Sequence, residues 1–425
     1  MRKNIINELI CTDCGSGFNV TYENPLIRSE NSIEYGVVSC KCGDYPVIDG
    51  ILVTRKYDRL PRVISRIRSA KTKHQLWKVA LLLIDEPYVR FLIRLSLFVR
   101  RVSGKWPWLS FYKLVTFIKN SRYSTYLKYR FSCPSFISAI AFLPLFKKAL
   151  SDGGLLLDLG SGVGHFDFLL TRYFGEEKVV CAEKHFMNLY LAKNYIVGSG
   201  ASFIVLDADL QIPFRDKMFS AILSMDAFHY IDKKQMLADE FNRALKEKGA
   251  LFLLHLHNRL MENVAKGLPA SPEEYAGIFR GFRSRMFPER GLVASVFSRK
   301  GVNTREDLPI DEVNRSDSIS IVLARDGSFF NCDCGLKTFE SSFADKKLKG
   351  ATILNPLYMK VGGDYVLRFP SDYYEEEYYL IKEFFPKKVS VNAGIEALKK
   401  DFIMIPAPEN FMKKNERIHR FKLWR

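Results

Sequence analysis

The stretch GLLLDLGSGVGHFDF, residues 154–168, passes from an unbroken apolar run into three glycines at alternate positions, Gly160, Gly162 and Gly164. A buried strand that breaks into such a turn and then into a helical pattern constrains the chain strongly. Short apolar strands alternating with helices build a parallel sheet covered on both faces. Ligands of such sheets bind beyond the carboxyl ends of the strands, where the first turn faces the crevice. Glycines there let a ligand approach the backbone, because they lack Cβ and tolerate positive φ. The spacing G-x-G-x-G is not the dinucleotide fingerprint G-x-G-x-x-G.

The pattern continues downstream. Strands are expected at 154–159, 179–183, 202–207, 219–225 and 250–257, with helices near 165–174, 186–197 and 233–247 and an earlier one in PSFISAIAFLPLFKKAL. Acids end the first three strands in order: Asp158, Glu183 and Asp207, the last followed by Ala208. Glu183 can accept both hydroxyl protons of a ribose, and Asp207 can accept from an exocyclic amine, so an adenosyl ligand suits the set.

Residues 154–257 resemble the class I S-adenosylmethionine-dependent methyltransferases. LDLGSGVG stands as the first motif and VVCAE as the second. LDADLQIPFRDKMFSAILSMDAFHYI covers the third and fourth, and LKEKGALFLLH the strand after the fourth helix. The resemblance implies an α/β, Rossmann-like, mostly parallel seven-stranded sheet. It implies that Asp158 and the backbone around Gly160 and Gly162 hold the methionyl end of S-adenosyl-L-methionine, with Glu183 on the ribose and Asp207 with Ala208 at adenine; Ser161, Gly164, Lys184 and Asp226 are further expected cofactor-binding residues. Ser161 stands where many relatives carry Cys or Ala, and Lys184 where an aspartate or serine is common.

Methyl transfer from a sulfonium is an in-line displacement governed by alignment and a dry site, and it needs a base only when the nucleophile arrives protonated. Candidates at the strand ends are Asp226, His229, His255 and His257, each of which could equally be structural. His255 and His257 are two apart and so should share one face of a strand. The Asn-Pro-Pro-Tyr type of motif is replaced by SMDAFHY, which argues against an exocyclic adenine acceptor. No catalytic cysteine pair of the carbon-5 pyrimidine type is present, since Cys181 lies inside a strand and Cys133 ahead of the domain.

Ahead of this core, Cys11 and Cys14 form C-x-x-C, and Cys40 and Cys42 form C-x-C. Two paired clusters can give four thiolates to a tetrahedral Zn²⁺, and a segment this small needs such a staple. The following YPVIDGI resembles the end of the small ribbon family that activates methyltransferases as separate subunits or fused ahead of one. A structural zinc ribbon over 1–54 is expected.

Residues 55–130 hold nineteen Lys and Arg against three acids, so nearly all of the net charge of +17 lies there. Leu60, Val63, Ile64 and Ile67 recur at helical spacing among Arg59, Arg62, Arg66 and Arg68, and Trp77, Trp106 and Trp108 fall in the same segment. A basic amphipathic helix suits an anionic membrane surface, or RNA phosphates, or a helical cover whose cations are merely solvated. The methyltransferase domain is expected over 131–326, and 327–425 forms a carboxy-terminal extension.

In that domain, Ser271, Pro272 and Glu274 open a helix in SPEEYAGIFRGF that is expected to cap the substrate crevice, and SISIVLAR (318–325) to close the sheet. Cys332 and Cys334 are expected to be unpaired thiols, and the Tyr373–Tyr379 run either lines a pocket or is a surface helix. The opening reaches its cysteines without an apolar core of about 7 to 15 residues, so no signal peptide is expected. The longest greasy stretches fall short of a membrane span. A cytoplasmic protein, free or membrane-peripheral, is expected. The expected function is methyl transfer to a small-molecule or lipid-linked metabolite. The rivals are an RNA methyltransferase gripping phosphates through ribbon and basic segment, and a non-catalytic cofactor-binding adaptor.

Overall fold

The computed structural model describes residues 1–84, 121–263, 267–332, 336 and 351–408. Trp106, Trp108, Cys334 and the side chain of Trp77 lie outside the described residues.

Eleven strands make the central sheet. In chain order they are β1 (Asn19–Glu23), β2 (Tyr35–Ser39), β3 (Asp44–Ile48), β4 (Ile51–Val53), β5 (Leu155–Leu159), β6 (Val179–Glu183), β7 (Ser202–Val205), β8 (Phe219–Met225), β9 (Leu245–His257), β10 (Arg283–Pro288) and β11 (Ser318–Ala324). Across the sheet the order is β1-β2-β3-β4-β7-β6-β5-β8-β9-β11-β10. The last seven are the expected Rossmann-like sheet, with β7, β6, β5, β8 and β9 parallel and β11 and β10 antiparallel. β6 and β8 are buried on both faces almost throughout, which is why they read as continuous apolar runs. Helices His165–Phe174, Phe186–Leu191 and Lys234–Ala244 fall where the 3.6-residue period puts them.

Three expectations change. The ribbon is not a free-standing unit, because β4 pairs in parallel with β7 through Ile51↔Phe203, Leu52↔Ile204 and Val53↔Val205. Val47 and Leu52 share one core with Ile204 and Leu206. The YPVIDGI segment supplies β3, a turn at Asp49 and Gly50 with positive φ, and β4, so its apolar run is explained by joining the larger sheet.

β9 begins at Leu245, where the helix was expected to run on to 247. Leu245 is buried opposite Phe219, and the exposed Glu247 and Lys248 are accommodated by a register shift between Phe219 and Ala221. Residues 318–324 form β11 but do not close the sheet. They lie between β9 and β10, and the edge strand Arg283–Pro288 went unread because its half-exposed residues carry no clean alternation.

The basic helix Leu60–Ser69 turns Leu60, Val63, Ile64 and Ile67 inward, and only its cationic face, with Arg62, Arg66 and Arg68, meets solvent. Its apolar face thus covers the core, and its arginines remain on the surface. Among the described residues no single helix is long and apolar enough to cross a membrane. One bent pair, Thr125–Ile140 with Leu143–Ala149, passes by composition, and its Phe136, Ile137, Phe142 and Phe146 are buried in the core.

The carboxy-terminal extension packs back on this core. Ser132 Oγ donates to Asn355 Oδ1 (2.8 Å), Tyr378 OH donates to the Tyr129 carbonyl (3.1 Å), and Phe297 stacks on Phe384 at 5.1 Å. Cys332 is disulfide-bonded, against the expectation of a free thiol.

Candidate active site

The glycine turn follows β5 with Gly160, Gly162 and Gly164 all at positive φ. At Gly160 a Cβ would stand 2.5 Å from the Ala227 methyl, so the turn can pass the end of β8 only as glycine. Gly162 faces open space. Gly164 instead packs a helix start against Val197, at 2.4 Å from where its Cβ would be, and it does not line the cavity expected of it.

That cavity, about 400 Å³, is lined by Asp158, Gly160, Ser161, Gly162, Glu183, Lys184, Asp207, Ala208 and Asp226. Every other sequence-derived cofactor residue therefore converges. Glu183 is held at the cavity edge by two amides: Gly162 N–H donates to Oε2 (3.1 Å) and His185 N–H to Oε1 (3.0 Å). Asp207 is bridged by Lys184 Nζ at 3.0 Å and faces Arg55 Nε at 3.9 Å. Arg55 also donates to the Lys184 carbonyl at 3.1 Å, so the start of the basic segment buttresses this end of the pocket.

Deeper in, Asp158 Oδ1 and Ser161 Oγ are buried with no hydrogen-bond partner. Unsatisfied buried polar atoms are costly unless a ligand completes them. An ammonium and carboxylate-bearing ligand end fits both, and the ribose and adenine fit the two outer acids, so the donor set suits S-adenosylmethionine.

Beneath the pocket Asp167 lies beside Asp158. Burial raises the Asp158 carboxyl well above its ordinary range, with the Asp167 charge adding to the effect, and burial lifts Asp167 to about 7. A carboxyl whose folded value is raised favours folding at low pH, and that stability is lost as pH rises from its unfolded value through the folded one. Asp167→Asn is thus expected to gain stability relative to the parent on going from pH 5 to pH 8, by about 2.5 kcal/mol for a shift of this size, part of the effect having already been lost between the unfolded value and pH 5. Thermal unfolding at the two pH values checks it, and parallel curves for parent and variant would refute it.

A second cavity, about 1050 Å³, adjoins the first, and Tyr123, Tyr126, Arg130, Asp226 and Tyr230 line both. At the junction Arg130 Nη2 meets Asp226 Oδ2 at 2.7 Å. Burial works against the Asp226 charge, but the Arg130 guanidinium, with His255 and His229, holds its carboxyl below the usual range. Asp226 and His255 are both non-glycine residues at left-handed φ (54° and 53°), strain that turns a strand-end side chain into the crevice.

His255 Nδ1 lies 2.8 Å from Glu289 Oε1, which also accepts from Ser138 Oγ at 2.8 Å. Burial alone would depress this histidine, but the Glu289 carboxylate raises it to about 9, so it is a cation at neutral pH. His255 and His257 both line the large cavity, as their spacing requires. His229 does not. It is fully buried behind them, its ring stacked on His257 at 3.9 Å, and burial lowers it to about 3.

The wall opposite comes from the carboxy-terminal extension. Tyr373, Tyr374, Glu376 and Glu377, on the helix Asp372–Glu377, line the cavity together with Tyr379. The tyrosine-rich run is therefore a pocket wall. The helix Pro272–Ile278, expected to cap the crevice, forms its Ser271/Glu274 capping box but lines neither cavity. Tyr275 and Phe279 draw it instead onto Phe228, away from the cavities. Sequence reasoning missed Arg130, Tyr123, Tyr126, Tyr230 and Glu289. None carries a local motif, and only the fold brings them to the strand ends.

Away from the crevice, Cys11, Cys14, Cys40 and Cys42 place their Sγ atoms within 4.8 Å of one another, with Cys11–Cys42 at 3.5 Å and Cys40–Cys42 at 3.3 Å. That spacing fits four thiolates on one tetrahedral ion.

Residues 157–253 match the methyltransferase domain family. Among solved structures, a chain from the complex of the Haloferax volcanii Trm112 methyltransferase activator with a methyltransferase is 18% identical and covers 44% of this chain and 97% of its own, with a TM-score of 0.31. A Thermotoga maritima S-adenosylmethionine-dependent methyltransferase is 15% identical over 51% of this chain and 100% of its own (TM-score 0.31), and one from Aquifex aeolicus 18% over 45% and 97% (TM-score 0.30). No curated protein matches the chain. The glycine turn, the ordered strand-end acids and the family match agree, and residues 157–253 are a methyltransferase domain of the class I type.

Proposed function

We propose that the chain transfers the methyl group of S-adenosylmethionine to a small-molecule or lipid-linked acceptor held in the 1050 Å³ cavity. The observation that carries this is the lining of that cavity. Among the described residues, six carboxylates (Asp226, Glu262, Glu289, Asp317, Glu376 and Glu377) face it, against one guanidinium and two histidines. Such a lining repels a phosphate backbone, and together with its tyrosines it suits a hydroxylated or cationic acceptor.

The bound cofactor supplies an electrophilic methyl on a sulfonium. Tyr126, stacked on Tyr123 at 5.9 Å, carries the Arg130 guanidinium over its ring at 5.2 Å, which steadies the junction. The Arg130–Asp226 pair fixes the shared wall, so the acceptor is aligned against one face of the cofactor. Of the four candidate bases, His255 is already protonated at neutral pH and His229 is walled off. His257 lines the cavity as well and is kept neutral by burial and by the neighbouring His255 charge.

The four-cysteine site holds structural Zn²⁺. Built into the sheet beside β7, the ribbon does in cis what a separate activator subunit does for other methyltransferases.

Incubation of the chain with a labelled methyl donor and either a metabolite-and-lipid extract or total RNA tests the reading. Label in the first extract is expected. Label on RNA that falls steeply with salt would replace it with the phosphate-gripping alternative. Label in neither, with cofactor bound, would favour the adaptor.

A further inference from the structure

We propose that Asp226, His229 and His257 form a second metal site, for a divalent first-row transition ion, in the wall between the acceptor cavity and β9. The inference rests on reading the large cavity as the acceptor site. It adds the class of acceptor: an oxygen nucleophile that ligates the ion.

The three side chains can bring one ligand atom each to within 4.8 Å of one another. His229 Nε2 is 3.8 Å from Asp226 Oδ1, the oxygen that Arg130 leaves free. Two imidazoles and one carboxylate are a donor set for zinc, iron or cobalt, and ion-to-ligand bonds of about 2.0–2.2 Å require the group to draw in around the ion, by roughly 1 Å at its wider separations.

An independent observation points to a ligand. His229 is fully buried, yet neither of its ring nitrogens has a hydrogen-bond partner, and His257 Nδ1 is buried and unpartnered as well. Buried ring nitrogens without partners are costly, and a packing role alone leaves that cost uncompensated. Asp226 and His257 line the acceptor cavity, which leaves an open coordination position on that side. The acids around the cavity offset the added charge.

An acceptor hydroxyl bound to the ion loses its proton to solvent more readily than a free one. The resulting oxygen anion forms the new bond to the methyl carbon as the sulfur–carbon bond breaks, and the sulfonium leaves as a neutral thioether.

Metal uptake by the purified full-length chain tests the site without any acceptor. With Zn²⁺ followed by dialysis, elemental analysis should find one equivalent beyond that held by the cysteines. His229→Ala and His257→Ala should each lose that equivalent and still bind S-adenosylmethionine, since neither side chain lines the cofactor cavity. Titration of the wild-type chain with Co²⁺ needs no variant. Beyond the intense sulfur-to-cobalt absorption of the thiolate site, one more equivalent should give only weak bands of a nitrogen and oxygen site. Uptake that stops at the cysteine site, or a second equivalent retained in both variants, would overturn the proposal. Neither result depends on cofactor binding, so failure here is separable from failure of the methyltransferase reading.

Discussion

Replacing Cys11 with serine is expected to release the ribbon's metal and to unfold far more than the ribbon. Structural Zn²⁺ in small thiolate sites contributes about 10–16 kcal/mol of binding free energy, which becomes folding free energy when the unfolded segment has no site. Here the ribbon is not an appendage. Its β4 supplies the neighbour of β7, its Val47 and Leu52 enter the core beside Ile204, and Lys193 pairs with Glu34 at 2.9 Å. The Met1 ammonium nitrogen donates to the Ile33 carbonyl at 2.7 Å from a buried position, which ties the chain start into the same unit. Losing the metal should therefore bare the edge of β7, lower the unfolding temperature by well over ten degrees and promote aggregation through the open edge. Zinc content and thermal unfolding of Cys11→Ser measure both effects. A variant that lacks zinc yet unfolds at the parental temperature would show that the strands hold without the ion.

The second large effect is expected at the junction of the two cavities. Arg130→Met removes the guanidinium but leaves Asp226 buried and unpaired, and breaking a buried pair from one side typically costs about 3–5 kcal/mol. Asp226 then responds to its burial, its carboxyl moves up from its depressed value, and the wall common to both cavities loses its fixed charge. Cofactor affinity and acceptor affinity should fall together, by tenfold or more each. The paired change Arg130→Met with Asp226→Leu should recover most of the stability but none of the turnover, because it removes the unpaired charge without restoring the wall. Denaturant unfolding and cofactor titration of the single and double variants separate the two contributions. If the double variant is no more stable than the single one, the cost does not come from a stranded carboxylate.

How much of this could be read from the chain follows from how local each signal is. The strand-turn-helix at Asp158–Phe174 was legible because its apolar run, glycines and helical period sit within a few residues of one another. Glu183 and Asp207 followed because each ends a buried strand whose period is unmistakable. The cysteine cluster was legible from spacing alone. What escaped was set by contacts between distant segments. Arg130 meets Asp226 across 96 positions in the chain, and Ser138 meets Glu289 across 151. The closing strand β10 hid because only Phe287 in it is buried. The crevice cap was assigned to residues 271–282 because a well-formed helix start follows the domain strands, but a capping box fixes where a helix begins and says nothing of where it packs. The tyrosine-rich run took the wall instead, since Tyr378 is buried under Tyr129 and turns its neighbours toward the cavity.

The central claim is that the glycine turn and its acids hold S-adenosylmethionine. Calorimetric titration of the purified chain with S-adenosylmethionine and, separately, with NAD, beside the Glu183→Ala variant, tests it most directly. Saturable binding of the first ligand alone, weakened a hundredfold or more when the Glu183 acceptor is removed, is the expected result, since two charge-assisted hydrogen bonds of about 1.5–3 kcal/mol each are lost. Binding of NAD in preference, or S-adenosylmethionine affinity unchanged in Glu183→Ala, would contradict it.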